Sequence, residues 1–383
     1  MKKIRLGDIA TLITKGTTPT TIGFSFVDTG VNFVKIESIS ENGEFLSDKF
    51  AHITDECDNK LKRSQLEEND ILFSIAGAIG RTAIVPRSIL PANTNQALAI
   101  IRIPQNAINL RFVLYALQSQ AVEEQSEKQK QGVAQLNLSL KNIADILIPL
   151  VSSEKQDEIV RNLAAVDTAI AIRKEQIRLI DQVVKSRFIE LFGDPVSNPR
   201  NLPITSLGEL SDLITKGASP SWQGFSYTDD ASQTLFVTSE NVREGYIDIS
   251  NPKYIEDGFN AKQKRSVLKK GDFLINIVGA SIGRAAQFNL DCKANINQAA
   301  ALVRVTDKRI RDKYLLIYLN SEKALQMYDS MKSDTGRANL SLQDIGSLSI
   351  LIPPVEEQIA FEAFIEQTDK SKLAVQKGLQ ELE

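Results

Sequence analysis

The run SEKQDEIVRNLAAVDTAIAIRKEQIRLIDQVVKSRFIELF occupies residues 153–192. Apolar residues fall within it at Ile159, Leu163, Val166, Ile170, Ile177, Ile180, Val184, Phe188 and Leu191. Steps of three and four, with a single seven, form the seam of a long helix that packs along another helix. Ser153 with Gln156 predicts a capping box at its start. Gly193 supplies the left-handed residue at its end, and Pro195 blocks continuation. A helix from Glu154 to Phe192 would be roughly 58 Å long at about 1.5 Å per residue. That exceeds an ordinary domain helix and suits a spacer.

Outward from this stretch the chain is written twice. Leu12-Ile13-Thr14-Lys15-Gly16 recurs as Leu213-Ile214-Thr215-Lys216-Gly217, and Gly23-Phe24-Ser25 as Gly224-Phe225-Ser226. Lys62-Arg63-Ser64 matches Lys264-Arg265-Ser266, and Ile79-Gly80-Arg81 matches Ile282-Gly283-Arg284. Asn93, Asn95 and Gln96 match Asn295, Asn297 and Gln298, and Asn137-Leu138-Ser139-Leu140 matches Asn339-Leu340-Ser341-Leu342. The order never changes. The seam recurs too, at Phe361, Ile365, Val375 and Leu379, with Thr368 and Lys372 between them. The expected division is a module at 1–151, a spacer helix at 152–193, a linker at 194–200, a second module at 201–354 and a second, shorter helix at 355–383.

Within module one, Leu6, Ile9, Leu12 and Ile13 fit a short helix ending at Gly16. Strands are expected over 31–36, 70–75, 82–85 and 97–103, and a helix from Leu110 to about Lys130. A last strand is expected from Ile143 to Ile148, stopped by Pro149. Module two repeats the plan, with a helix near Tyr314 to Met331. The class is α+β with mostly antiparallel sheet. If the two seams pack, duplication favours a pseudo-two-fold arrangement with the helices antiparallel and one module at each end. A ligand with two sites of opposite polarity, such as duplex DNA, fits that geometry.

Composition narrows the chemistry. Of 383 residues 42% are hydrophobic and 24% charged, an ordinary balance for globular domains with real cores. No run nears the ~18 apolar residues of a membrane span. The N-terminus lacks the apolar core of a signal peptide, so the cytosol is expected. Two cysteines and one histidine, His52, rule out a Cys/His zinc site and weaken Cys–His and Ser–His catalysis. No phosphate loop, dinucleotide fingerprint or Asn/Asp-Pro-Pro-aromatic motif is present. Gly77-Ala78-Ile79-Gly80-Arg81 and Gly279 to Arg284 read as tight strand-to-strand turns rather than phosphate cradles. Net charge is −3, which by itself argues mildly against nucleic acid. Distribution counters the total. Basic residues cluster at Lys60–Arg63, Lys128 and Lys130, Lys262–Lys270 and Lys308–Lys313. Lys15 and Lys216 each precede a glycine that would let the cation reach a groove. The candidate DNA-contacting residues are Lys15, Thr17, Lys62, Arg81, Lys130, Gln131, Lys216, Ser219, Trp222, Lys264, Arg284 and Arg337. The loops differ between modules, Thr20-Thr21-Ile22 against Ser221-Trp222-Gln223, as two readers of different half-sites should.

With these residues in view, the chain resembles the specificity (S) subunits of Type I restriction-modification systems, over essentially its whole length. The resemblance is carried by Leu6-Gly7-Asp8-Ile9 with Lys15-Gly16-Thr17-Thr18-Pro19, and by Leu207-Gly208-Glu209-Leu210 with Lys216-Gly217-Ala218-Ser219-Pro220. The junctions Ile148-Pro149-Leu150 with Glu154-Lys155-Gln156, and Ile352-Pro353-Pro354 with Glu356-Glu357-Gln358, carry it as well. So does Leu191-Phe192-Gly193-Asp194-Pro195. It implies two target recognition domains, each reading half of a split DNA site, separated by two long helices in an antiparallel coiled coil. The seam residues Ile159, Leu163, Val166, Ile170, Ile177, Ile180, Val184, Phe361, Ile365, Val375 and Leu379 lie on the helices that would dock two modification (M) subunits. Those would carry S-adenosylmethionine, and restriction (R) subunits would use ATP and Mg²⁺. No cofactor and no catalysis are implied for this chain. Departures are the short second helix and the polar Lys372 and Arg173 in the seam. The competing reading is a two-module protein scaffold without a DNA role. A fused enzyme fails for want of a catalytic motif.

Overall fold

The computed structural model describes residues 2–104, 108–129, 137–331 and 339–383. Unit 1 spans Met1–Ala169 and unit 2 Ile170–Glu383.

Unit 1 begins with β1 (Lys3–Arg5), α1 (Leu6–Ile9), β2 (Leu12–Lys15), β3 (Val31–Val34), β4 (Ala51–Ile53) and α2 (Asp55–Lys60). It continues with β5 (Ile71–Ser74), β6 (Thr82–Ile84), β7 (Ala92–Thr94), β8 (Leu98–Arg102), α3 (Leu110–Leu117), α4 (Gln120–Gln129), α5 (Leu140–Asp145) and β9 (Leu147–Pro149). The helix α6 (Ser153–Phe192) begins in this unit and ends in the next. The central sheet has the order β2-β8-β5-β6, entirely antiparallel. Its strands alternate between two cores. Ile71, Phe73, Ala99 and Ile101 face the helical side with Phe112, Val113 and Ile143. Leu72, Ile100 and Leu98 face the opposite side with Val34 and Val85. Both faces are covered, which is why these strands read as unbroken apolar runs. A second sheet, β4-β3-β7, pairs β3 parallel with β7 and antiparallel with β4.

Unit 2 repeats the order. After α6 come β10 (Ile204–Ser206), β11 (Ser211–Lys216), β12 (Tyr227–Thr228), β13 (Thr234–Val237), β14 (Tyr254–Ile255) and α7 (Gly258–Lys262). Then follow β15 (Phe273–Asn276), β16 (Ala285–Gln287), β17 (Ala294–Ile296), β18 (Ala300–Val305), α8 (Asp312–Leu319) and α9 (Glu322–Met331). The unit closes with α10 (Leu342–Ser347), β19 (Ser349–Leu351) and α11 (Val355–Gln380). Its main sheet is β11-β18-β15-β16, the counterpart of the first, and β13 again pairs parallel with β17. Each main sheet is pinned at the same point by an ion pair between a buried aspartate and a half-buried arginine. Arg102 Nε meets Asp70 Oδ1 at 2.7 Å and Arg304 Nε meets Asp272 Oδ1 at 2.7 Å. Each aspartate also accepts a backbone N–H three residues earlier, from Glu67 and Lys269.

Four sequence expectations are corrected. Leu12–Lys15 is a strand, not the end of a helix, because its backbone completes the sheet edge against β8. The stretch from Leu110 is two helices, α3 and α4, divided at Gln118-Ser119, and α8 and α9 divide in the same way. Residues 143–145 are helical rather than extended, as the end of α5, because Ser139 and Asn142 form a reciprocal capping box; only Leu147–Pro149 is strand. The capping box expected at Ser153 does not form. Gln156 is instead buried, accepting the Asn109 N–H at 2.9 Å and donating to the Val151 carbonyl at 3.0 Å. Gln358 does the same in unit 2, accepting from Arg311 N at 2.8 Å and donating to Arg309 and Pro353 carbonyls. The Glu-x-Gln signature therefore ties each long helix to the start of α3 or α8. At the other end of α6 the sequence reading holds: Gly193 has φ 78° and its N–H reaches the Ile189 carbonyl at 2.9 Å.

In unit 2 the end of α6 and α11 run antiparallel. Phe188 and Phe192 meet Phe361 at ring-centroid distances of 5.8 and 5.4 Å, and both pack on Tyr314. Further along, Ile177, Ile180, Val375 and Leu379 are half-buried, while Val184 and Ile365 are buried. In unit 1, Ile159 packs on the module core, Val166 is half-buried and Leu163 is exposed. Ile170, at the start of unit 2, is half-buried.

Candidate nucleic-acid interface

The same local construction appears once in each module. At the end of β2, Gly16 passes so close to β7 that a Cβ there would lie 1.7 Å from the Thr94 carbonyl oxygen. Gly217 stands in the same relation to the Ile296 carbonyl, also at 1.7 Å. These glycines serve strand packing, which replaces the expectation that they clear a path for Lys15 and Lys216. The chain then enters a short 3-10 turn, Pro19–Ile22 or Ser221–Gln223, closed by a left-handed glycine: Gly23 with φ 84° or Gly224 with φ 83°. Thr17 and Ser219 sit half-buried at its entrance. Thr18 Oγ1 donates to Gln96 Oε1, and the Ser219 hydroxyl lies 3.1 Å from that of Ser221.

A second 3-10 turn carries the cations, Lys62–Ser64 in module one and Lys264–Ser266 in module two. A buried asparagine fixes it. Asn93 Oδ1 accepts from Ser64 Oγ at 2.7 Å, and its Nδ2 donates to Asp58 Oδ1 at 2.8 Å and to the Leu61 carbonyl. Asn295 Nδ2 donates to Asn260 Oδ1 at 2.7 Å and to the Gln263 carbonyl. Asn93 thus ties the turn together rather than facing outward. Lys62, Arg63, Lys264 and Arg265 are consequently held outward and exposed, with no carboxylate partner among the described residues. The two turns meet. In module one, Thr17, Ile22 and Phe24 share a surface depression with Lys60 and Arg63. In module two, Lys262 Nζ donates to the Gln223 carbonyl at 2.9 Å.

Other candidates divide. Arg81 is half-buried and donates to the carbonyls of Ile36 and Ile39 at 3.2 and 2.7 Å, so part of its guanidinium braces a turn. Arg284 occupies the matching hairpin position and has no side-chain partner among the described residues. Both hairpins are the tight turns expected, with Gly77, Gly80, Gly279 and Gly283 all at positive φ. The basic cluster at 308–313 is not an open anion site. Arg309 pairs with Asp307, Arg311 with Glu362, and Lys313 with Glu366 and Asp369, which fastens α8 to α11. Lys130, Gln131 and Arg337 lie outside the described residues. Lys15 is half-buried and Lys216 exposed at the strand ends. Trp222 is 87% exposed.

The sequence reading missed Asp58, Asn260 and Thr234, which hold the asparagine clamps, and the exposed Tyr227 and Tyr246 of module two. The Asn93–Asn295 match was the available signal for the clamp. Asp257, which accepts from Lys293 Nζ at 2.6 Å and from Thr234, is held below the usual carboxylate range, first by the Lys293 bond. The arrangement suits an extended polyanion: outward ammonium and guanidinium groups beside hydroxyls and apolar tips.

Two stretches, residues 1–182 and 207–383, match the family model for the Type I restriction modification DNA specificity domain, and the chain belongs to that family. It is 24% identical over 306 residues to the Type I restriction enzyme EcoBI specificity subunit of Escherichia coli, covering 72% of this chain and 62% of that one. It is 23% identical over 362 residues to a putative type I restriction enzyme specificity subunit, MjaX, of Methanocaldococcus jannaschii, covering 89% and 80%. A chain from a structure describing assembly and conformational transition of a type I R-M system shares the fold with TM-score 0.62 at 19% identity, covering 100% of this chain and 94% of that one.

Proposed function

We propose that the chain is a non-catalytic DNA-recognition subunit of a type I restriction-modification complex, each module reading one half of a bipartite duplex target. The observation that carries this reading is the doubled juxtaposition of a loop with an outward basic turn, built on one scaffold and bearing different side chains in each copy. Phosphate contacts from Lys62, Arg63, Lys264 and Arg265 would set position, and the unlike loop tips would set sequence. Family membership supports the same reading.

The helices are assigned the spacing. An apolar groove along α6 and α11, lined by Leu179, Val183, Phe364 and Val375, is the docking surface proposed for modification subunits. Leu179 and Val183 are 45% and 51% exposed, more than isolated helix packing requires. Two such subunits, one per module, follow from the duplication if the whole is pseudo-two-fold. Methyl transfer from S-adenosylmethionine, and ATP- and Mg²⁺-dependent cleavage by restriction subunits, belong to those partners in this reading, and the setting is cytosolic. The functional division in this reading is 1–151, 152–193, 194–200, 201–354 and 355–383.

Co-expression with the cognate modification subunit, followed by genome-wide mapping of methylated adenine, tests the assignment. A split motif that depends on this chain supports it. No chain-dependent methylation alongside a demonstrably active partner contradicts it.

A further inference from the structure

We propose that Trp222 is an intercalating wedge, its indole entering between stacked bases in the half-site read by module two. The inference rests on the DNA-recognition reading above and adds a mode of contact to it.

Trp222 is the single tryptophan of the chain and is 87% exposed. A tryptophan is ordinarily among the most buried residues on average, so one left almost wholly in water at a loop tip calls for a ligand. The tip is rigid. The Pro220 carbonyl accepts from Gln223 N at 2.9 Å and from Phe225 N at 3.0 Å, closing the turn beneath the indole. Phe225 is anchored edge-on to Phe259 at 5.6 Å. Lys262 Nζ holds the Gln223 carbonyl from the other side. Presentation on a fixed turn means that little loop ordering opposes binding.

Charge selects the occupant. The segment that braces the Trp222 loop carries Lys262, Lys264 and Arg265, and the latter two have no carboxylate partner among the described residues. An apolar protein surface gains nothing from that setting, whereas a duplex offers phosphates to the cations and base faces to the indole. Bulky side chains pushed into a base step partly unstack it and kink the duplex. In module one the matching residue is Thr21, so the distortion belongs to the second half-site alone.

Because Trp222 is the only indole, its emission reports the contact directly in the full-length chain. The probe is a labelled duplex carrying the motif found by methylation mapping, with affinity read by anisotropy. Binding should quench the emission. Trp222→Ala should weaken binding by roughly 5- to 150-fold, the range of one base–aromatic stack, and Trp222→Phe should restore much of the loss. Binding with unchanged emission, or unchanged affinity of Trp222→Ala, overturns the wedge while leaving recognition intact. Absence of any chain-dependent methylated motif, which leaves no half-site to probe, overturns the recognition reading and the wedge with it.

Discussion

Lys372 Nζ lies 2.6 Å from Asp181 Oδ1, joining α11 to α6 at the point where a lysine breaks the apolar seam. The charge that looks out of place in the heptad-like pattern is met by an acid on the facing helix. Further along, Lys174 pairs with Glu383 at 2.9 Å in the same antiparallel sense. The pairs fix register more than they add stability, because the Lys372 and Asp181 side chains are 28% and 50% exposed.

A double-mutant cycle with Lys372→Ala and Asp181→Ala should therefore give a coupling of about 0.2–1 kcal/mol, shrinking with added salt. Denaturant unfolding of the four proteins measures it. A salt-independent coupling of several kcal/mol would contradict this account of the seam.

Alkaline pH should weaken unit 2. Tyr318 is pushed up to about 12 chiefly by burial, and Tyr314 and Tyr328 are raised by the same cause. In the unfolded chain a tyrosine ionises near ~10. Below that value both states are protonated and the full stability is present. Above it the unfolded chain loses protons first, so stability falls as pH rises from about 10 towards 12. The corresponding positions in unit 1 are Phe112, Ala116 and Ser126, which do not titrate in this range, although Tyr115 in unit 1 is also pushed up to about 12 by burial and its bond to Asp167. Unfolding followed from about pH 9 to about pH 11 should show this decline, and Tyr318→Phe should make it shallower. An equal slope in the variant would refute the assignment.

Much of this architecture is legible in the amino-acid order alone. Recurrence of Lys-Gly, Lys-Arg-Ser and Asn-x-Asn-Gln in fixed order exposes the duplication, and the 153–192 seam exposes the long helix. Short apolar runs are not legible: Leu12–Lys15 becomes strand through pairing with Ala99–Arg102, a partner far along the chain. Helix α5 is legible in principle from Ser139 and Asn142, but Ile143, Ile146 and Ile148 suggest an extended run. Asn93 cannot be assigned its clamp from sequence, since its partners Asp58 and Ser64 are brought to it only by the fold. The reverse holds for 308–313, where a basic run that invites phosphate is met by acids on α11.

Removal of the outward cations should weaken duplex binding nearly uniformly across sequences. Lys62→Ala with Arg63→Ala, or Lys264→Ala with Arg265→Ala, should each lower the magnitude of the salt slope by about 0.9 for every phosphate left without its cation. Anisotropy titrations at several salt concentrations measure this. Lys313→Ala, which removes an ion-paired lysine, should leave the slope unchanged; a slope lowered equally by Lys313→Ala would contradict the distinction between outward and ion-paired cations.

The most direct test of the central claim is to replace module two, residues 201–354, with a second copy of module one, residues 1–151, and map methylation with the modification subunit. Two identical readers should methylate a site built from two copies of the first half-site, separated by a gap. A chimera that is active yet retains the original asymmetric motif would contradict the account, because the sequence read would then not reside in the modules.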